Sequence, residues 1–138
     1  MSEQAALTFK GYEITKVILD KPKGFIDGEF QINFQYISHI YKENSNLFDA
    51  EFIVTLTNVE NKFNLQIQAL GFFEIHGDVS PDVRSNYLNI SSPSIVFPYL
   101  RTFITNLVIQ SGMKPIFIPA INFGAKPKLE DQTAEKQM

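Results

Sequence analysis

The sequence predicts an α+β fold, a four-stranded antiparallel sheet backed by one long C-terminal helix. Three observations carry that expectation. Four stretches before residue 76 alternate apolar and polar residues at the period of a strand, and short turns join most of them. One stretch after residue 90 carries apolar residues at the period of a helix. No internal repeat and no second set of elements follows, so the 138 residues make one domain with one modest core.

Residues 6–20 read as a first strand with mixed faces. The loop DKPKGFIDG (20–28) is broken by a proline and two glycines, yet it holds Phe25 and Ile26, which a purely solvated loop would not favour. In EFQINFQY, Phe30, Ile32, Phe34 and Tyr36 point one way and Gln31, Asn33 and Gln35 the other. The alternation slips at Tyr36–Ile37 and goes on through His39 and Tyr41; a β-bulge and burial on both faces each account for the slip. After the turn KENSN, a third strand over 47–59 sets Ala50, Phe52, Val54 and Leu56 against Ile53, Thr55 and Thr57. The hairpin loop ENK leads to a fourth, where Phe63, Leu65, Ile67 and Ala69 oppose Asn64, Gln66 and Gln68; beyond Ala69 both faces are apolar. HGDVSPD ends this strand, and Ser80-Pro81-Asp82 starts a short helix to about Asn89.

The long helix lies in SSPSIVFPYLRTFITNLVIQSG. Ser92 is placed to cap it, Pro93 suits its first turn and Gly112 its stop. Arg101 is its one formal charge, and Pro98 either kinks its first turns or marks where the regular helix begins. On a helical wheel its apolar residues, Tyr99, Phe103 and Leu107 among them, fill an arc of about 180°. A helix on one sheet needs only somewhat over 100°. A second copy of the chain is the economical cover, since most oligomers are homomeric and symmetric. Wrapping by residues 20–28 and 116–123 within a monomer is the alternative; an interfacial membrane helix would show a strongly charged polar face. MKPIFIPAINFGAKPK is apolar but extended, because Pro115, Pro119 and Pro127 forbid regular helix. The expected organisation is one domain over 1–123 and a frayed tail over 124–138.

Composition narrows the chemistry. A net charge of −3 offers no broad basic surface to nucleic acid. Without cysteine there is no disulfide framework, thiolate-bound metal or thiol nucleophile. His39 and His76 have no carboxylate at a telling spacing, so no metal site is expected. No nucleotide-binding or nucleophile-elbow motif occurs, and nothing points to an enzyme or a cofactor. The N-terminus shows no signal-peptide pattern and no apolar run approaches the roughly 20 residues of a membrane span, so a mature, cytoplasmic protein without membrane insertion is expected. The strands' second faces carry neutral Asn, Gln and Thr, which suits a solvated face of unusual composition or a surface that meets another protein. Apolar surface beyond the needs of a core points to protein binding.

The stretch Ser91–Phe123 resembles the signature of the SecB protein-export chaperone family. The similar residues are Phe97-Pro98-Tyr99 with Arg101, Ile104-Thr105, Gly112 and Pro119-Ala120-Ile121-Asn122-Phe123; FNLQIQALGFFEI is similar to the family's last strand. The resemblance implies a dimer of dimers, a homotetramer packed through its long helices, in which Tyr99, Phe103 and Leu107 lie at the helix contact. Leu65, Ile67 and Ala69 match a row near a strand-to-strand contact between subunits. It also implies an ATP-independent holdase that binds unfolded polypeptides, among them preproteins for Sec-dependent export, and that hands them to the SecA ATPase. Client contacts are then expected at Phe25, Phe30, Ile32, Phe34, Ile116, Ile118 and Phe123, and a translocase contact at Asp20. Lys16 and Gln66 stand where the family has further acids, and Gly124-Ala125-Lys126-Pro127 replaces its C-terminal amphipathic helix. Two alternatives are a SecB-like chaperone dedicated to a toxin–antitoxin pair and a non-enzymatic domain binding a small lipid-like ligand between sheet and helix.

Overall fold

The structure, a computed structural model, describes residues 6–24, 28–58, 60, 62–124 and 133–136, the last four as backbone alone. Four long strands form the sheet: β1 (Leu7–Asp20), β2 (Gln31–Tyr41), β3 (Leu47–Asn58) and β4 (Phe63–Ile75). The helices α1 (Pro81–Asn86) and α2 (Ser92–Gln110) follow, and a short strand β5 (Thr133–Lys136) closes the chain. The spatial order is β1-β4-β3-β2-β5; the first four strands pair antiparallel and β5 joins β2 in parallel. The four antiparallel strands and the long helix are those the alternation predicts. β5 is the addition: four residues of the expected frayed tail are paired to the sheet edge.

Alternation sets the core. In β3 and β4, Phe48, Phe52, Val54, Leu56, Phe63, Leu65, Ile67, Phe73 and Ile75 share one face and are buried under α2. Val96, Leu100, Ile104 and Val108 form the stripe that α2 lays on them. Gly71 lets the helix come close, because a Cβ there would stand 2.5 Å from Val96 Cγ2. The slip in β2 is burial on both faces. The β2–β3 register runs unbroken from Gln31↔Thr57 to Ile40↔Phe48, and Ser38 is buried opposite Ala50. The irregular strand is β1, whose register against β4 shifts between Phe9 and Gly11 and again between Ile14 and Lys16.

The two expected helices are one continuous rod. Ser80 caps α1 by accepting from the Val83 amide, and α1 passes through a π turn at Tyr87–Ser91 straight into α2. Ser92 is therefore not a cap: its backbone is helical, φ −65° and ψ −45°. Gly112, at φ 92°, ends α2 as expected, and the amides of Gly112 and Met113 fold back onto the carbonyls of Ile109 and Val108. No helix of the described residues is long and apolar enough to cross a membrane.

Candidate binding surface

One face of β2 builds an aromatic ledge. Phe30 meets Phe63 edge-on at 5.4 Å, and Phe34 meets Phe97 edge-on at 5.2 Å and Phe52 at 5.6 Å. Phe123 closes the cluster from the extended segment, 5.5 Å from Phe34 and 6.0 Å from Phe97. Offset and edge contacts of this kind suit the ring quadrupoles. Phe30, Phe34 and Phe123 stay half-buried, and Ile32 is exposed at 38%.

The extended segment after α2 forms a second wall. Met113 and Ile118 anchor it in the core, Ile116 is half-buried, and Phe117 projects outward at 85% exposure. Arg101 holds it in place: its Nη1 donates to the Ile118 carbonyl at 3.4 Å and its guanidinium lies 5.9 Å from the Phe97 ring centroid. The one charge of α2 is thus spent on the segment. Between them runs an open groove of about 650 Å³, with Arg101, Thr102, Thr105 and Asn106 on one side and residues 115–118 on the other. Hydroxyls and amides face an apolar lip, so the groove can take an extended chain's backbone and its side chains together.

The expected site residues fall into groups. Phe30, Ile32, Phe34, Ile116 and Phe123 lie on or beside the ledge and groove. The Ile118 side chain belongs to the core at 4% exposure, while Phe117, inside the same apolar stretch, is the outward residue; alternation along an extended segment is the signal that separates the two. Phe25 lies outside the described residues. Leu65, Ile67 and Ala69, at 1%, 0% and 0% exposure, are buried in the core of the single chain. Tyr99 is half exposed, at 50%, over Phe9 and Tyr12, and Phe103 and Leu107 are partly buried beside the core. Asp20 is exposed at the end of β1.

The histidines are better partnered than expected. His39 Nδ1 lies 2.9 Å from the Oδ1 of fully buried Asp49, and its Nε2 lies 3.6 Å from Glu51 Oε1. The turn KENSN is the missed signal: a hairpin centred on Asn44 sets His39 opposite Asp49. His76 Nε2 lies 2.7 Å from Thr8 Oγ1. Among the described residues no cluster of three histidines and acids could hold a metal ion.

A family model described as preprotein translocase subunit SecB matches residues 20–132. The chain belongs to the SecB family. SecB relatives named protein-export protein are similar in sequence: one from Xanthomonas euvesicatoria pv. vesicatoria is 30% identical over 100 residues, covering 70% of this chain and 57% of its own length. Another, from Polaromonas naphthalenivorans, is 34% identical over 95 residues, covering 67% of this chain and 59% of its own length. The chain thus spans under two thirds of these SecB relatives. A SecB-like chaperone of Mycobacterium tuberculosis, solved in complex with a peptide from an antitoxin, shares the fold with a TM-score of 0.70, at 10% identity over 84% of this chain and 88% of that one.

Proposed function

We infer that this SecB-family chain is an ATP-independent chaperone that holds unfolded polypeptides on the ledge and in the groove. The observation that carries the reading is apolar surface with no role in the fold: Ile32 at 38% and Phe117 at 85% exposure beside a half-buried aromatic cluster. Burying a client's apolar groups there gains about 25 cal/mol per Å², and weak contacts along one tethered chain combine through effective concentration. The lining rings and aliphatics reject few side chains, which suits a binder of many sequences. In this reading the chain works in the cytoplasm without catalysis, as a homotetramer joined through Tyr99, Phe103 and Leu107. Its clients are export precursors, as the relatives' name suggests, and exposed Asp20 is an acid available for SecA.

The test is light scattering from a chemically unfolded protein diluted into buffer without nucleotide. Stoichiometric chain is expected to suppress the scattering, and Phe117→Ala to weaken client affinity several-fold with its melting midpoint unchanged. Unaltered scattering would overturn the reading. A pull-down that returns one dedicated client and no export precursor would redirect it to a toxin–antitoxin chaperone.

A further inference from the structure

The groove between α2 and residues 115–118 is lined by one charged residue, Arg101, and by no acid. Among the described residues Arg101 enters no ion pair; the pairs are Lys10 with Glu74 and His39 with Asp49 and Glu51. Its polar contact within the chain is the bond from Nη1 to the Ile118 carbonyl, long at 3.4 Å and made to a neutral acceptor. A guanidinium presents several N–H donors in a planar fork, and one long bond leaves most of them to be used. The Phe97 ring, with its centroid 5.9 Å from the guanidinium carbon, holds that fork in place beforehand, so little freedom is lost when it takes a partner.

We propose that the groove prefers extended polypeptide in which an acidic side chain stands between apolar ones, and that Arg101 is the residue that reads the acid. The proposal rests on the chaperone reading above and adds one preference to it. An extended chain turns successive side chains to opposite sides. Laid along the groove, it offers a carboxylate to the α2 wall while the residues before and after it pack on Ile116 and Phe117 of the lip. Carboxylate oxygens accept from the fork in pairs, and such charge-assisted bonds are about twice as strong as a neutral bond of the kind Ile118 receives. Thr102, Thr105 and Asn106, on the same wall, supply neutral donors and acceptors to the client's backbone. A basic side chain in that place meets like charge and is disfavoured. The ledge, built of rings and aliphatics, keeps its tolerance; the preference belongs to the groove. The chain's net charge of −3 opposes acidic clients at a distance. At about 0.15 M salt that field is screened beyond about 8 Å, whereas a contact with half-buried Arg101 is screened much less.

The probes are two labelled, unstructured Gly/Ser-rich polypeptides, one carrying several Leu-Glu-Leu triplets and its twin Leu-Gln-Leu, read by anisotropy against the full chain at about 0.15 M salt. The wild type is expected to bind the Glu probe about fivefold more tightly than the Gln probe, a modest ratio because water reaches the guanidinium. Arg101→Gln removes the charge and keeps a donor for the Ile118 carbonyl, and should bring the ratio to one. Thr105→Glu leaves Arg101 in place but gives it an acid one helical turn away, and should also abolish the preference. Equal binding of both probes by the wild type overturns the proposal and leaves the chaperone reading standing; failure to bind either probe or to suppress aggregation overturns both. A ratio that survives in the two variants overturns it, since another cation then reads the acid. An Arg101→Gln chain that loses affinity for both probes alike overturns it too, because Arg101 then only props the segment. So does a fall in sedimenting mass with the ratio unchanged, which assigns the groove to a second copy of the chain.

Discussion

One carbonyl explains why the rod and β2 are tied together. In a regular helix the Leu88 oxygen would accept from the Ser92 amide, but the π turn sends that amide to Tyr87. The next candidate donor is residue 93, a proline without an N–H. Side chains take the vacancy: the Tyr36 hydroxyl, Ser38 Oγ at 2.7 Å and Ser92 Oγ at 3.2 Å all donate to the Leu88 oxygen. Tyr36 Oη also lies 2.7 Å from each serine hydroxyl. Burial pushes the Tyr36 phenol up to about 12, against a smaller opposing effect of the two serine hydroxyls. Below pH 10 both folded and unfolded chains hold the proton; from there to pH 12 only the unfolded chain loses it, so stability falls as pH rises. At pH 11 this amounts to about 1.4 kcal/mol. Tyr36→Phe is expected to cost about 1–2 kcal/mol at pH 8 by removing the hydrogen bonds. That deficit should narrow by about 1.4 kcal/mol at pH 11, where the wild type has lost what the variant never had. Urea midpoints at the two pH values check this; a constant deficit would show that the hydroxyl titrates alike in both states.

Elements were legible in the sequence where one rule acted alone. The alternation of β3 and β4 assigned the inward residues from Ala50 to Leu56 and from Phe63 to Ala69, because a half-buried strand has a strict period of two; past Ala69, where both faces are apolar, it did not single out Phe73 and Ile75. The rod was misread as two helices because Ser-Pro usually opens a helix, whereas here Pro93 sits past a π turn whose freed carbonyl is satisfied from β2, 52 residues away in sequence for Tyr36. The packing of α2 on β4 was silent for the same reason: Gly71 looks like any strand glycine until Val96 is placed above it. Gly71→Ala puts a methyl 2.5 Å from Val96 Cγ2, and a β-branched side chain in a helix has one favoured rotamer and little room to yield. The expected loss is about 1–3 kcal/mol by overpacking, read as a lower urea midpoint. Adding Val96→Ala to that variant should recover part of it, so that the pair costs less than the sum of the singles. Additive losses would mean that the helix retreats from the sheet and does not press on that methyl.

At the scale of the whole molecule, a wide apolar arc on α2 and an apolar row on a strand do not by themselves say what covers them. Strand residues such as Leu65 look the same in sequence whether a helix of their own chain or a partner covers them; only the placement of α2 decides, and it puts Leu65 in the core. What α2 leaves outside is Tyr99 at 50% and Ile109 at 44% exposure, and the outer strand β1 adds Val17, Ile18 and Leu19 at 37–43%. Beneath Tyr99, the Tyr12 hydroxyl is buried with no hydrogen-bond partner among the described residues, and burial raises its phenol above the ordinary tyrosine value. An unsatisfied hydroxyl under an exposed ring is costly in one copy and is relieved if a second copy brings an acceptor. The proposed homotetramer, joined through this patch, separates two substitutions that a core would treat alike. Tyr99→Glu should leave the chain folded, because the side chain is half in solvent, yet lower the assembled mass in sedimentation velocity from four copies toward two. Leu65→Glu should unfold the chain outright, because a carboxylate in that place has neither water nor a partner. A wild-type chain that sediments as a single copy at micromolar concentration, indistinguishable from Tyr99→Glu, would remove the patch from the interface and leave the exposed ring of Tyr99 to the client alone.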